Sequence, residues 1–464
     1  MIQPNEISYR DRGARVVKKE PGYYRYIFTQ YKAEYNHLMH SGLYQELVEK
    51  QFLIPHQEVA INSPDSSVYK LLYPTQIHTQ SYPFEWSYAQ WKKALLCYLK
   101  INQIALQYGM ILKDASPYNF YQTAGKAILF DTSSFSFFQE NDPWIGYKQF
   151  CESFFAPLAL MHYQDSRWST FTMAHFRGMP LNMVSKQLPL KSWFNISSLL
   201  HIHLHALFSE KRADARKAIK PQKGFTTEKL QLLMQTLFNT IASWKKSGSQ
   251  TPAWANYYNN DIASEAYLAD KEATADKWLC KLKPASVIDL GANTGKFSLI
   301  AAGHAQEVIA LEADEACVDV LDQLITEKQV SNITTLVGDI TTPSPGLGLF
   351  NKEIKSLFER VNSQLVLALA LTHHLAITHY MSFPQIAELM NQLSSQYLII
   401  EFIPIEDPKV IMLMEHWTGN KNDYQAAPFI ESLASFFTII AEKKLAGSSR
   451  SLYLMQKKKT EAHA

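Results

Sequence analysis

The second half of the chain alternates short, almost wholly apolar runs with longer amphipathic stretches. The apolar runs are VIDL (287–290), EVIALE (307–312), TTLVGD (334–339), QLVLALA (364–370) and YLIIEFI (397–403). Runs of this length, rich in Val, Ile and Leu, read as strands buried on both faces. The stretches between them, such as EACVDVLDQLITEKQ (315–329), carry helical spacing, and the alternation predicts a parallel, doubly wound sheet. Two further runs, FFTIIAEKKL (436–445) and RSLYLMQK (450–457), are separated by only four residues. That is too short for a parallel crossover, so they predict a terminal antiparallel hairpin.

The first half follows a different order. Strand-like runs at 14–19 and 23–28 flank the turn signal Glu20-Pro21-Gly22, and a helix is predicted over 30–50. Two more strand-like runs (56–61 and 68–73) precede a long helical pattern over 87–108, and 151–246 reads as mainly helical. The polar stretch KKSGSQTPA (245–253) suits a linker. The resulting division is an α+β region over 1–163, a helical extension and linker over 164–250, and an α/β domain over 251–464.

At 464 residues the chain exceeds what one core usually organises, which agrees with several domains. Its formal net charge of +2 gives no global field to recruit nucleic acid. Four cysteines without CxxC spacing, and a polar start lacking an apolar leader, lead to the expectation of a cytoplasmic protein with reduced thiols and no membrane association.

The densest chemical signal follows the first apolar run of the second half. Asp289-Leu290-Gly291-Ala292-Asn293-Thr294-Gly295 is a strand leading into a glycine-bearing turn and then a helix. Gly291 and Gly295 allow close backbone approach to a ligand, with Asn293 between them. The next strand ends at Glu312, where a carboxylate can accept both hydroxyls of a ribose. The third ends in Gly338-Asp339-Ile340, an acid to bind an adenine amino group and an apolar side chain to pack its ring. The turn is GANTG and lacks the glycine that close pyrophosphate approach needs, which disfavours a dinucleotide site.

Taken in order, the glycine turn, the second-strand acid, the Gly-Asp at the third strand and the terminal hairpin resemble class I methyltransferases over roughly 200 residues. The resemblance implies S-adenosylmethionine as cofactor, bound by Asp289, Gly291, Asn293, Gly295, Glu312, Asp339 and Ile340. It also implies an acceptor facing the ends of the fourth and fifth strands, at Thr372-His373-His374 and Glu401. There an imidazole or carboxylate would take a proton or orient the acceptor. Joint metal ligation by the two histidines and Glu401 is disfavoured, because neighbouring residues on one strand point to opposite faces.

A second constellation lies at Leu112-Lys113-Asp114-Ala115-Ser116-Pro117-Tyr118-Asn119, followed by Asp131-Thr132-Ser133. It resembles the catalytic loop of protein kinases and small-molecule phosphotransferases, with Arg25 in the place of the phosphate-binding lysine and Glu34 on the following helix. This implies ATP and magnesium at Arg25, Asp114, Asn119 and Asp131. Leu112-Lys113 in place of His-Arg, Ser133 in place of glycine, and the lack of a glycine-rich loop all depart from that pattern. Phosphotransfer with a regulatory methyltransferase-like domain is the alternative reading, and a module that senses the cofactor without turnover is a third.

The segments SGLY (41–44), SYPFEWS (81–87), LKDASPYN (112–119) and YKQFCESFFAPLALM (147–161) extend a resemblance over nearly the whole chain. They are similar to a bacterial family of large methyltransferase-domain proteins that includes a rhizobial protein of host-specific nodulation. That implies a small-molecule or glycan acceptor. Three weaker features remain: His201, His203 and His205, of which only the first and last share a helical face; the basic stretch 211–223; and the aromatics Trp254, Tyr257, Tyr258 and Tyr267 with Lys271, suited to lidding a cofactor.

Overall fold

The computed structural model describes residues 11–61, 65–208, 224–247 and 265–459. Two compact units divide the chain, one comprising 1–249 with 347–354 and the other 250–346 with 355–464. The basic stretch 211–223, most of the linker and the aromatics Trp254, Tyr257 and Tyr258 lie outside the described residues.

In the first unit, β1 (Ala14–Lys19), β2 (Gly22–Phe28), β3 (His56–Val59) and β4 (Val68–Pro74) form an antiparallel sheet in the order β1-β2-β4-β3. The helix expected over 30–50 is two helices, Lys32–His40 and Leu43–Glu49. They part at Gly42, whose φ of +96° is left-handed backbone that a continuing helix cannot contain. The long helix Tyr88–Gln107 is capped by Ser87, whose Oγ accepts the N–H of Gln90. The short strands β5 (Met110–Leu112), β6 (Phe120–Thr123), β7 (Lys126–Leu129) and β8 (Phe135–Phe137) form two antiparallel pairs, β5 with β8 and β6 with β7. One apolar core runs from Leu38 through Trp91 and Phe154 to Trp244, so residues 164–208 and 224–247 share it with the residues before them.

The second unit is a seven-stranded sheet of β9 (Ser286–Leu290), β10 (Glu307–Glu312), β11 (Ile333–Val337), β12 (Ser363–Ala368), β13 (Ser394–Phe402), β14 (Phe437–Lys444) and β15 (Ser451–Lys457). Their order is β11-β10-β9-β12-β13-β15-β14. The first five are mutually parallel, whereas β15 runs antiparallel to β13 and to β14. Separate apolar clusters cover the two faces, which is why the strands read as unbroken apolar runs. The helix Glu315–Glu327 shows the complementary pattern, burying Cys317, Val318, Leu321 and Ile325 and exposing much of its opposite face. The order in which successive strands are added reverses between the parallel neighbours β9 and β12, and open α/β sheets hold ligands beyond the carboxyl ends of the strands at such a point.

Candidate active site

The turn after β9 is held in left-handed backbone, with φ of +70° at Gly291, +50° at Asn293 and +82° at Gly295. At Gly295 the constraint is also steric, because a Cβ there would come within 2.1 Å of Leu321 Cδ1. The backbone N–H groups of Gly291 and Ala292 both donate to Leu311 O, which fastens this turn to β10. Glu312, the last residue of β10, completes the attachment. Its Oε2 accepts the N–H of Asn293 at 2.7 Å and its Oε1 the N–H of Asp314 at 2.8 Å. Each carboxylate oxygen has a second lone pair, so Glu312 retains acceptor capacity toward a ligand. Burial raises its pKa, and the backbone donors work against that rise. Asp339 is oriented by Thr341, whose N–H and Oγ1 donate to Asp339 Oδ1 at 2.8 and 2.7 Å, and neighbouring Ile340 is buried.

Asp289 is differently placed. It is 2% exposed, and its Oδ2 accepts the Ser298 hydroxyl at 2.6 Å, tying β9 to the helix Lys296–Ala302. The structure therefore gives Asp289 a structural partner beneath the turn. Desolvation pushes its pKa up to about 6, the Ser298 hydrogen bond opposing. An acid whose folded pKa lies above its unfolded value stabilises the fold fully below the unfolded value and loses that contribution as pH rises through the folded one. Asp289→Asn is accordingly expected to raise stability by about 1–3 kcal/mol at pH 7.5 and by little at pH 4, measured as urea-unfolding midpoints.

The expectation for the fourth strand needs correction. Thr372 and His373 are not on β12, which ends at Ala368, but on a helical turn that follows left-handed Ala370 (φ +52°), with His374 opening the π-turn His374–Thr378. The alternating-face argument against joint metal ligation therefore does not apply. Even so, no cluster of three or more His, Cys, Asp or Glu side chains suited to a metal occurs among the described residues. Thr372 Oγ1 donates to Glu401 O at 2.8 Å. His373 is fully buried, and neither ring nitrogen has a hydrogen-bond partner. Desolvation, then the charges of His374, Arg450, Lys271 and Lys409, hold its pKa well below the ordinary value, so the ring is neutral. Its neighbour His374 is pushed down to about 4, again chiefly by burial.

Glu401 does not face outward as an acceptor base would. It is fully buried in β13, with Oε1 accepting the Tyr267 hydroxyl at 2.6 Å and Oε2 accepting Lys271 Nζ at 2.6 Å and the Ala370 N–H at 2.7 Å. Burial alone would raise its pKa, but the Lys271 and Arg450 charges and the hydrogen bonds outweigh burial and hold it below its ordinary value. Arg450 donates to Tyr267 at 2.9 Å and grips Asp407 through Nε at 2.7 Å and Nη2 at 3.1 Å. Two cations and two carboxylates are thus buried as a compensated set joining the helix Glu265–Leu282, β13 and the residue that precedes β15. The sequence reading missed Arg450 and Asp407. The available signal was an arginine opening an otherwise apolar strand, with no indication of its partner.

In the first unit the kinase-like residues do come together, and they bond one another and their neighbours. Asp131 accepts the Arg25 guanidinium, the Ser133 N–H and hydroxyl, and the Ser134 hydroxyl. Asp114 accepts Asn119 Nδ2 at 2.9 Å and Gln149 Nε2 at 2.6 Å. The groups expected to hold phosphate and magnesium are engaged with each other, and the expectation of ATP and magnesium gains no support. The three histidines are also used internally. His201 Nδ1 meets the Tyr147 hydroxyl at 2.7 Å, His203 lies between Ser185 and Ser192 at 2.8 Å from each, and the His205 ring stacks on Tyr147.

No protein-family profile matches the chain. It is similar over most of its length to the nodulation protein NoeA of Rhizobium meliloti (strain 1021), with 28% identity over 401 residues, covering 84% of this chain and 83% of that protein. Among solved structures, the N-methyltransferase NodS of Bradyrhizobium japonicum WM9 in complex with S-adenosyl-l-homocysteine is 13% identical and covers 46% of this chain and 94% of its own, with a TM-score of 0.33. The magnesium protoporphyrin IX methyltransferase ChlM of Synechocystis PCC 6803 with bound SAM is 15% identical and covers 46% and 100%, with a TM-score of 0.31. Among the described residues no helix is long and apolar enough to cross a membrane.

Proposed function

We propose that the second unit is a methyltransferase that uses S-adenosylmethionine to methylate a small molecule or glycan. The observation that carries this reading is Glu312, whose carboxylate is oriented by backbone N–H groups from the turn after β9 and from the turn that follows β10. An acid held in that way, beside a left-handed glycine turn and at the carboxyl ends of parallel strands, suits the paired hydroxyls of a ribose. Gly291, Asn293 and Gly295 shape the floor of the site, Asp339 and Ile340 serve the adenine, and Asp289 supports the turn from beneath. When bound, S-adenosylmethionine supplies an electrophilic methyl group on a sulfonium sulfur.

The chain's own contribution to transfer is orientation of the acceptor. His373 is neutral, and in that state it offers one N–H and one lone pair, neither engaged by the protein. It is fully buried, however, so we assign the acceptor hydroxyl or amine to His374, which is partly exposed beside it at a ring separation of 4.1 Å. The buried set around Glu401 positions this turn through Ala370 and Thr372. Similarity to a nodulation protein supports a glycan or related small molecule as acceptor.

His374→Ala is expected to reduce turnover about 100-fold or more while leaving cofactor affinity within about twofold, read from single-turnover transfer and from cofactor titration. Equal loss of both would move His374 into the cofactor site. The function itself is tested by supplying methyl-labelled S-adenosylmethionine and fractionated cell extract to the purified chain. Label should pass to a glycan or small-molecule fraction and fail to pass with Glu312→Ala. Cofactor binding without transfer to any fraction would leave a sensing module.

A further inference from the structure

In the first unit, the helical turn Leu190–Phe194 and the residues after it present large apolar side chains to water. Leu190 is 81% exposed, Phe194 89% and Ile196 70%, and Leu200 lies one turn beyond Ile196 at 46%. Side chains this exposed stand off the body of the protein instead of lining a groove. The turn is nevertheless rigidly built. Its buried Ser192 hydroxyl bonds Pro189 O at 2.7 Å and His203 Nε2 at 2.8 Å, while Ser185 holds the other His203 nitrogen at 2.8 Å. The Trp193 ring stacks on His203 at 4.1 Å, and Asn195 caps the next helical turn through the Ser198 N–H. The middle histidine of the HxHxH motif is thus the post on which an exposed apolar turn is mounted.

The stretch of chain that carries the turn has charge of one sign. From Ser166 to Phe208 there is no Asp or Glu, whereas Arg167, Arg177, Lys186 and Lys191 all fall there. Arg167 pairs with Asp165 and Arg177 with Glu353, while Lys186 and Lys191 are exposed beside the turn. Protruding Leu, Phe and Ile, an adjacent Trp and flanking lysines fit the interfacial region of a bilayer carrying anionic headgroups. We propose that this turn docks the protein on an anionic lipid surface, lying on the membrane and not crossing it. It departs from the expectation of no membrane association, which rested on the small net charge and the lack of a spanning segment.

The test is sedimentation of the full-length chain with vesicles of phosphatidylcholine and phosphatidylglycerol, and with vesicles of phosphatidylcholine alone. The chain is expected to bind the anionic vesicles, less at high salt and less to neutral ones. Phe194→Glu and Leu190→Glu should each weaken binding about tenfold or more, and Lys191→Glu should weaken it and flatten its salt dependence. Phe194 and Leu190 are outside the core, so unchanged thermal melting should accompany the loss. Failure to sediment with either vesicle overturns the proposal. So does a dimer that Phe194→Glu converts to monomer without vesicle binding, which would assign the face to a second copy of the chain.

Discussion

Replacing Glu401 with alanine is expected to destabilise the second unit by about 3–5 kcal/mol, seen as a large fall in the midpoint of its urea transition. The carboxylate is fully buried between Lys271 and Arg450, so its removal leaves cations in the interior with Asp407 as the remaining anion. It also strips the Ala370 N–H and the Tyr267 hydroxyl of their acceptor. Glu401→Gln keeps the shape and an acceptor oxygen but not the charge, so its loss should be smaller. Because Glu401 is held below its ordinary pKa, its charge stabilises the fold above the unfolded value of about 4.3, and that contribution disappears as pH falls through the folded value. The difference between wild type and Glu401→Gln should therefore be greatest near neutrality and shrink in acid. A constant difference across that range would mean that the carboxylate acts by shape alone.

Glu312→Ala is expected to weaken S-adenosylmethionine binding about 100-fold or more. Two hydrogen bonds from a carboxylate to ribose hydroxyls are worth about 1.5–3 kcal/mol each. The substitution also frees the N–H groups of Asn293 and Asp314 that hold the two turns in register. Glu312→Gln separates these effects: it retains an acceptor oxygen and should bind with intermediate affinity. Folding should be largely spared, because Glu312 is only partly buried at the end of its strand. Titration calorimetry on the three proteins gives the order directly, and equal affinity of wild type and Glu312→Ala would remove the ribose role.

The second unit was legible because its strands are covered on both faces and so appear as uninterrupted apolar runs between amphipathic segments. The glycine turn and Glu312 were legible for a related reason. Both sit at strand ends, where spacing along the chain converts directly into position at the sheet's edge. The turn carrying His373 was not. An Ala at positive φ ends β12 early and starts a helical turn, and alanine gives no warning of that backbone. Nor was the burial of Glu401, since its partners come from 130 residues upstream and from the residue that precedes β15. Ion pairing across such separations leaves no local pattern. The kinase-like cluster shows the opposite case. Spacing placed Arg25, Asp114, Asn119 and Asp131 together, but did not disclose the hydrogen bonds they make to one another and to Ser133, Ser134 and Gln149.

The central claim is that the turn after β9 and the acid at the end of β10 form a site for S-adenosylmethionine. Its most direct test is calorimetric titration of that cofactor into the purified full-length chain. Saturable one-to-one binding is the predicted result; a flat titration with a sample shown to be folded would contradict it.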